Sequence, residues 1–251
     1  MTYSVITICL NSSESITRTI SSVLKQSVLP KEYIFVDGGS KDNTIDLIRD
    51  CFSTCPSSPM VKWKILHQGQ KRGVYAAWNI GLGHVSSDIV FILNSDDYYE
   101  PNTAQNVLSA FERHPQADIV IGAIKHFSNH GLMKSKIYKS SYPWLFPVLF
   151  PLKMPVRHPA CFVRRKVYEK IGNFNDKYIV SGDYDFLYRC YKSGLVFQKV
   201  NNVLVNMQVG GLSERRKYVA IKETAEISLD HCGSRMLVEM AKFYRLMWFC
   251  K

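Results

Sequence analysis

No acidic residue occurs between Ile119 and Tyr168, although the 251-residue chain holds 21 Asp and Glu elsewhere. Lys125, Lys134, Lys136, Lys139, Lys153, Arg157, Arg164, Arg165 and Lys166 all fall in that stretch, and the whole chain carries a formal net charge of +11. The stretch is purely basic, and the expected partner of so basic a chain is anionic: phosphates, nucleic acid or an acidic membrane face. Paired cysteine spacing is missing too. The seven cysteines are scattered, Cys51 and Cys55 being the closest, and no Cys/His cluster has the spacing of a zinc site. This argues against a zinc module and for a reduced, cytosolic setting. No basic leader precedes the apolar run Ser4–Leu10 and no small-residue cleavage site follows it, so no signal peptide is expected. The segment Tyr142–Pro159 is rich in large apolar residues, but prolines at 143, 147, 151, 155 and 159 interrupt it. They exclude a regular helix, and the segment is too short and too broken to span a bilayer.

What is present is an alternation of strand and helix patterns. Ser4–Leu10 reads as a buried strand leading to a helix capped near Ser13 or Ser15, with Ile16, Ile20, Val23 and Leu24 at helical spacing. Tyr33–Val36 is a second strand, followed by a helix that Asp42 can cap and that carries Ile45, Leu47 and Ile48. Trp63–Leu66 and Ile89–Leu93 are further strands, with a helix over Val74–Leu82 between them. Beyond Pro101 the order weakens: Thr103–Phe111 is helical, Asp118–Ile124 a strand and Lys166–Ile171 a short helix. The fold class is therefore α/β, a mainly parallel sheet covered by helices on both faces, and ligands of such sheets gather at the carboxyl ends of the strands.

Three polar strand exits meet that rule: Thr7 and Asn11, Asp37-Gly38-Gly39-Ser40, and Asn94-Ser95-Asp96-Asp97. Adjacent carboxylates after a buried strand place two hard oxygen ligands on a rigid support, as Mg²⁺ or Mn²⁺ with a bound phosphate requires. The same residue types also form ordinary turns, and Asn11 can equally act as a cap. Arg72 stands before a glycine and a helix, where guanidinium and helix amides could face an anion; a solvated arginine is the equal alternative. Asp185 and Arg189 are four apart and suit an ion pair.

Val5-Ile6-Thr7 with Asn11, Val36–Ser40 with Asp42, Arg72-Gly73-Val74-Tyr75-Ala76-Ala77-Trp78-Asn79-Ile80-Gly81, Leu93–Asp97 and Ser181-Gly182-Asp183-Tyr184-Asp185 together resemble family 2 glycosyltransferases of the GT-A fold. The resemblance covers roughly Ser4 to Gly211. It implies inverting transfer of a sugar from a nucleotide sugar, usually a UDP-sugar, to a hydroxyl acceptor. By this resemblance Asp96 and Asp97 hold a divalent cation, Mn²⁺ or Mg²⁺, against the donor diphosphate. Thr7, Asn11, Asp37, Gly38, Arg72, Asn94 and Asp96 line the donor-nucleotide site, with Asp37 receiving nucleobase or ribose. Asn94 departs from the family pattern, which often has an acid there. Asp183 matches the general base, with Gly182 where Glu is common; the field of a helix N-terminus would keep its carboxylate ionised. His158 resembles a histidine that touches acceptor or diphosphate, or it is simply structural. Gly210-Gly211-Leu212-Ser213 forms a flexible lip backed by Arg215 and Arg216, or an ordinary loop.

The resulting layout is a nucleotide-sugar-binding half over residues 1–100, an acceptor-side half over 101–212, and a basic, helical C-terminal extension over 213–251. The expected acceptor is a saccharide, potentially linked to a polyprenyl diphosphate, in bacterial surface polysaccharide (O-antigen or capsule) synthesis. The expected location is the cytoplasm or the inner face of the cell membrane. Trp144–Met154 and the tail Lys242, Phe243, Tyr244, Arg245, Leu246, Met247, Trp248, Phe249 and Lys251 either rest on anionic lipid or pack as core or a homodimer interface. Two other classes compete. A nucleotidyltransferase would share the sheet and carboxylates, but needs a glycine-rich phosphate loop where Asn11-Ser12-Ser13-Glu14 stands. A noncatalytic membrane- or RNA-binding protein fits the charge, but leaves Asp183 and the Asp96–Asp97 pair unexplained.

Overall fold

The computed structural model describes residues 1–55, 60–69, 73–127, 135–236, 238–239 and 241–242. In chain order the elements are β1 (Tyr3–Cys9), α1 (Ile16–Leu24), β2 (Glu32–Asp37), α2 (Thr44–Thr54), β3 (Lys62–His67), α3 (Val74–Leu82), β4 (Ile89–Ile92), β5 (Tyr98–Tyr99) and α4 (Thr103–Arg113). They continue as β6 (Ile119–Phe127), β7 (Lys136–Lys139), α5 (Phe146–Leu149), β8 (Cys161–Arg164), α6 (Arg165–Ile171), α7 (Gly182–Lys192), β9 (Phe197–Gln208), α8 (Leu212–Arg215) and α9 (Lys217–Cys232).

One sheet runs β3-β2-β1-β4-β8-β6-β9-β5, with β7 paired to β6. Strands β3, β2, β1 and β4 are mutually parallel, in the register Val5↔Tyr33 and Val5↔Phe91. The sheet turns antiparallel at β4–β8 and β8–β6, returns to parallel at β6–β9, and closes antiparallel at β9–β5. Strand β9 is long and polar, with Asn201 and Asn202 exposed in its middle, and its bulged pairing with β6 erases the alternation that would mark it in sequence.

Both faces of the central strands are buried, so these strands read as continuous apolar runs. Val5, Phe35 and Phe91 face a core shared with Ile16, Ile20, Phe52 and Phe111 from α1, α2 and α4. Ile6, Val90 and Ile92 face a second core with Tyr75, Trp78, Phe150, Tyr184 and Phe186 from α3, α5 and α7. Helix α3 lies so close to β1 that a Cβ at Gly81 would sit 2.6 Å from Ile6 Cγ2.

The expected caps are displaced. Ser15 holds the N-cap position of α1, but its hydroxyl donates to Ser12 O rather than accepting a first-turn amide. Asn43 occupies the N-cap position of α2 without a side-chain cap bond, and Asp42, one residue earlier, accepts Thr44 N–H and Thr44 Oγ1–H, at 3.1 and 2.5 Å, and Ser13 N–H at 3.0 Å. The proline-spaced segment forms a 3-10 turn over Pro143–Leu145 and then the single turn α5, where Pro147 sits early enough for its missing N–H to cost nothing. Phe146 and Phe150 turn into the second core, whereas Trp144 and Val148 remain 74% and 64% exposed. Among the described residues no helix is long and apolar enough to cross a membrane.

Candidate active site

The parallel half of the sheet delivers three chain reversals to one edge, and hydrogen bonds weld them together. Asn11, in the left-handed region at φ 51°, follows β1 and accepts Lys41 N–H on Oδ1 at 2.8 Å, while its own N–H donates to Ser40 Oγ at 3.0 Å. Ser12 Oγ lies 2.8 Å from Ser95 Oγ, which joins the exits of β1 and β4. From α1, Thr19 Oγ1 donates to the carbonyls of Ser95 and Asp97 at 2.9 and 2.7 Å, and Arg18 Nη2 donates to Asp96 O at 3.1 Å. The tetrad is thus held largely through its backbone carbonyls, with Ser95 adding a side-chain tie.

The two aspartates are not equivalent. Asp97 is 1% exposed; its Oδ1 accepts Gln208 N–H at 2.9 Å and its Oδ2 accepts Asn94 Nδ2–H at 3.3 Å. Burial, and then the Asp96 charge, push its pKa well above the carboxylate range. Asp96 is half-buried and also raised by burial, with the Arg18 and Arg215 guanidiniums opposing that rise. Asn94, with its amide where an acid is common, relieves one negative charge and donates to Asp97.

Two adjacent carboxylates at a strand end, both raised by burial and Asp97 further by the Asp96 charge, fit a hard divalent ion, because a cation there favours the ionised form of each. Among the described residues no group of three or more His, Cys, Asp or Glu could enclose a metal. An ion held by Asp96 and Asp97 would therefore take its other ligands from phosphate oxygens and water, the habit of Mg²⁺ and Mn²⁺ at nucleotide sites.

The remaining donor-side residues divide. Asp37, buried at the end of β2, accepts Ser40 Oγ–H at 2.6 Å and Ser40 N–H at 3.1 Å on Oδ1, and Gly39 N–H at 3.0 Å on Oδ2. His67 Nδ1 lies 3.5 Å from Oδ2. Asp37 therefore builds the Asx turn of its own loop and still presents lone pairs toward β3. Gly38 N–H donates to Cys9 O at 2.9 Å, locking this turn to β1. Thr7 is fully buried with its hydroxyl 3.0 Å from Tyr33 Oη, beneath the edge rather than on it. Arg72 lies outside the described residues.

Asp183 is positioned by another route, against the first turn of α3. It sits in the first turn of α7, and its Oδ1 accepts Tyr184 N–H at 2.8 Å and lies 3.2 Å from Tyr75 Oη, on the helix that follows β3. No described residue hydrogen-bonds Oδ2, so one oxygen is left to take a proton. Burial raises the Asp183 pKa, against the lowering effects of His158, the Tyr184 amide and Tyr75. The expected helix-field dominance is thus reversed: desolvation outweighs it, and the result is a more basic carboxylate. His158 is buried, stacked on Trp78 with ring centroids 4.8 Å apart, and its pKa is lowered by that burial. Burial thus disfavours its charged form, and the Asp183 charge opposes that effect. Asp185 pairs with Arg189 at 2.9 Å, as the spacing implies, and so takes no part as a second base.

Supports that sequence reasoning did not single out surround Asp183. Asn79 makes a two-point bond to Phe174, Nδ2 to Phe174 O at 2.8 Å and Oδ1 from Phe174 N–H at 3.0 Å. Glu223 of α9 accepts the amides of Ile179, Val180 and Ser181 at 2.7, 2.9 and 2.8 Å, holding the turn that delivers Asp183. Its only sequence signal is an acid on an otherwise mixed helix. Glu223→Ala is expected to lower unfolding free energy by about 3 kcal/mol, because three main-chain donors lose their acceptor. Denaturant titration checks this, and an unchanged midpoint would contradict the role given to Glu223. The Gly210–Ser213 segment is pinned rather than loose: Gly210 N–H donates to Glu214 Oε2 and Arg215 Nε–H to Gly210 O, each at 2.8 Å.

Known proteins show the same frame. Residues 4–172 match the family model described as glycosyl transferase family 2. A "PGL/p-HBAD biosynthesis glycosyltransferase" of Mycobacterium bovis is 29% identical over 217 residues, covering 84% of this chain and 78% of that protein. An "uncharacterized glycosyltransferase" of Nostoc is 31% identical over 126 residues, covering 50% of this chain and 36% of its own. Among solved structures, the mannosyltransferase PcManGT of Pyrobaculum calidifontis with GDP-Man and Mn²⁺ superposes with a TM-score of 0.70 at 16% identity, over 97% of this chain and 69% of that one. S. aureus TarS 1–349 with UDP-GlcNAc gives 0.69 at 18% identity, over 98% and 72%. A longer TarS structure is covered over only 43% of its length. At these identities the structural likeness is one of fold.

Proposed function

The chain belongs to glycosyl transferase family 2, and from that premise we propose that it transfers a sugar from a nucleoside diphosphate sugar, most simply a UDP-sugar, to a hydroxyl acceptor with inversion. The observation that supports this best is the pairing, in one chain, of adjacent carboxylates at the exit of β4 with a separately held Asp183 whose pKa is raised by burial. The two structural neighbours solved with UDP-GlcNAc and with GDP-Man and Mn²⁺ support a nucleotide-sugar donor and a divalent ion.

In this reading Asp96 and Asp97 hold Mn²⁺ or Mg²⁺ against the donor diphosphate. When bound, the ion supplies charge neutralisation for the leaving nucleoside diphosphate. Asn94 lessens the negative charge around the pair, and the Arg215 guanidinium, whose charge is felt at Asp96, offsets more of it. Asn11, Asp37 and Gly38 shape the nucleoside end of the cleft. Asp183 Oδ2 takes the acceptor hydroxyl's proton as that oxygen attacks the anomeric carbon from the face opposite the diphosphate. Neutral His158 offers a hydrogen bond without pairing off the Asp183 charge. A panel of nucleotide sugars with Mn²⁺, read by calorimetry, tests the reading: one donor should bind with the metal and not with chelator, and no binding by any member would reject it.

The acceptor in this proposal is a lipid-linked saccharide met at the inner face of a membrane. Exposed Trp144 and Val148 project beside Tyr142, whose ring lies 3.5 Å below the Lys199 ammonium, with Lys139 close enough to lower the Lys199 pKa further after burial. An apolar tip in a basic collar suits anionic lipid. The C-terminal residues 243–251, assigned to the same surface in sequence, lie outside the described residues. Trp144→Ala combined with Val148→Ala is expected to weaken flotation with anionic liposomes by about tenfold, the order for losing buried apolar side chains. Equal flotation of both proteins, or none by the parent, would contradict the lipid contact.

A further inference from the structure

We propose that Tyr75 is a positioning residue for Asp183, its hydroxyl fixing both the carboxylate and the turn before it, and that glycine at position 182 is the condition for this arrangement. The inference rests on Asp183 being the proton acceptor. Tyr75 is 4% exposed in the first turn of α3, its ring held against Trp78 and Phe174 at centroid distances of 5.2 and 5.9 Å. Its Oη lies 2.5 Å from Val180 O and 3.2 Å from Asp183 Oδ1. One hydroxyl proton therefore serves two acceptors, the carbonyl that precedes α7 and the carboxylate on its first turn. Glu223 grips the amides of the same turn from the other side. The turn carrying Asp183 is thereby fixed through its carbonyl by α3 and through its N–H groups by α9.

Gly182 lies within a helix, so left-handed backbone is not its reason for being glycine. A Cβ there would stand 2.8 to 2.9 Å from Cδ2, Cε2 and Cγ of the Tyr75 ring. Any side chain at 182 would have to displace the ring, and the hydroxyl with it. The absence of the usual acid at this position and the presence of tyrosine at 75 are two parts of one packing solution.

The other groups facing Asp183 do not replace the phenol. His158, from the turn before β8, is kept neutral by burial, and burial holds the Cys161 thiol protonated. The Tyr184 amide belongs to α7 itself. Burial and the Asp183 charge push the Tyr75 phenol well above its ordinary pKa, so it remains a donor throughout the working pH range. Among the described residues, Tyr75 is the side chain that hydrogen-bonds this carboxylate.

Tyr75→Phe keeps the ring and removes only the hydroxyl. It should lower kcat about tenfold, the order of one hydrogen bond to a charged group, while donor KM stays near that of the parent and the thermal midpoint falls modestly because Val180 O loses its donor. The acidic limb of the kcat profile should move to higher pH, because a donor that favours the ionised carboxylate is gone. Gly182→Ala, with the phenol present but displaced, should give a similar loss, and adding it to Tyr75→Ala should cause little further loss in kcat. A Tyr75→Phe enzyme with parental kcat and pH profile, or a Gly182→Ala loss that simply adds to that of Tyr75→Ala, would overturn the inference. Asp183→Asn in the same assays separates the two levels. If it abolishes transfer while Tyr75→Phe is parental, only the positioning role fails; if it leaves transfer intact, the base assignment itself fails.

Discussion

Asp183→Asn is expected to lower kcat for sugar transfer by about 10²–10⁴-fold, the usual contribution of a positioned general base, and to leave donor affinity unchanged. The amide preserves the shape of the side chain, and its oxygen can still accept the Tyr184 N–H on which the start of α7 depends. What it cannot do is accept a proton on the position that now has no described hydrogen-bond partner. The parent enzyme also has a pH signature. Burial raises the Asp183 pKa, and a base works only when ionised. Activity should therefore fall on acidification with an apparent pKa above that of an ordinary aspartate, and neutral pH should lie on the active side. The opposite sign, a limb below the ordinary carboxylate value, would mean that the helix field or an unseen cation dominates. Stopped assays across pH with saturating donor measure this directly.

The second large effect belongs to the clamp. Asp97→Asn should weaken donor binding in the presence of a divalent ion by at least about tenfold, the lower end of effects seen when a metal's support is altered. Donor binding in chelator should stay the same as the parent's. The fold should survive, because the asparagine oxygen can go on accepting Gln208 N–H, the bond that ties the tetrad to the end of β9. The new amide would face the Asn94 amide, donor against donor, where a carboxylate oxygen now accepts at 3.3 Å. Calorimetric titration of donor with and without Mn²⁺ separates these contributions. A parent protein that binds donor equally well in chelator would remove the clamp from the mechanism.

Much of the first hundred residues was legible because the signals there are local. Strands β1, β2 and β4 are short apolar runs buried on both faces, and α3 begins and ends at Val74 and Leu82 as its pattern implies. Their parallel pairing then brings the three polar exits to one edge without any long-range guess. The chain beyond Pro101 was far less readable. Strands β8 and β9 lack alternation, since β8 is four residues in mid-sheet and β9 is bulged and carries asparagines. The division of labour within the site was also hidden. Nothing in the sequence separates Asp96 from Asp97; only the docking of Gln208 against Asp97 makes one inward and the other open. Asp183 could be singled out through its resemblance to a known pattern, but its elevated basicity could not, because its burial depends on packing with segments as distant as Tyr75 and His158. Glu223 and Tyr75 were illegible for the same reason: each acts on Val180 and its neighbours from more than a hundred or about forty residues away along the chain.

The most direct test of the whole account is ¹H NMR of the enzyme turning over a nucleoside diphosphate sugar with water as the acceptor. With divalent ion present, the free sugar should appear first in the anomeric configuration opposite to that of the donor, and both chelation and Asp183→Asn should suppress its release. First appearance of the retained anomer, or release that ignores the metal and Asp183 alike, would contradict a clamp and a base acting from opposite faces of the sugar.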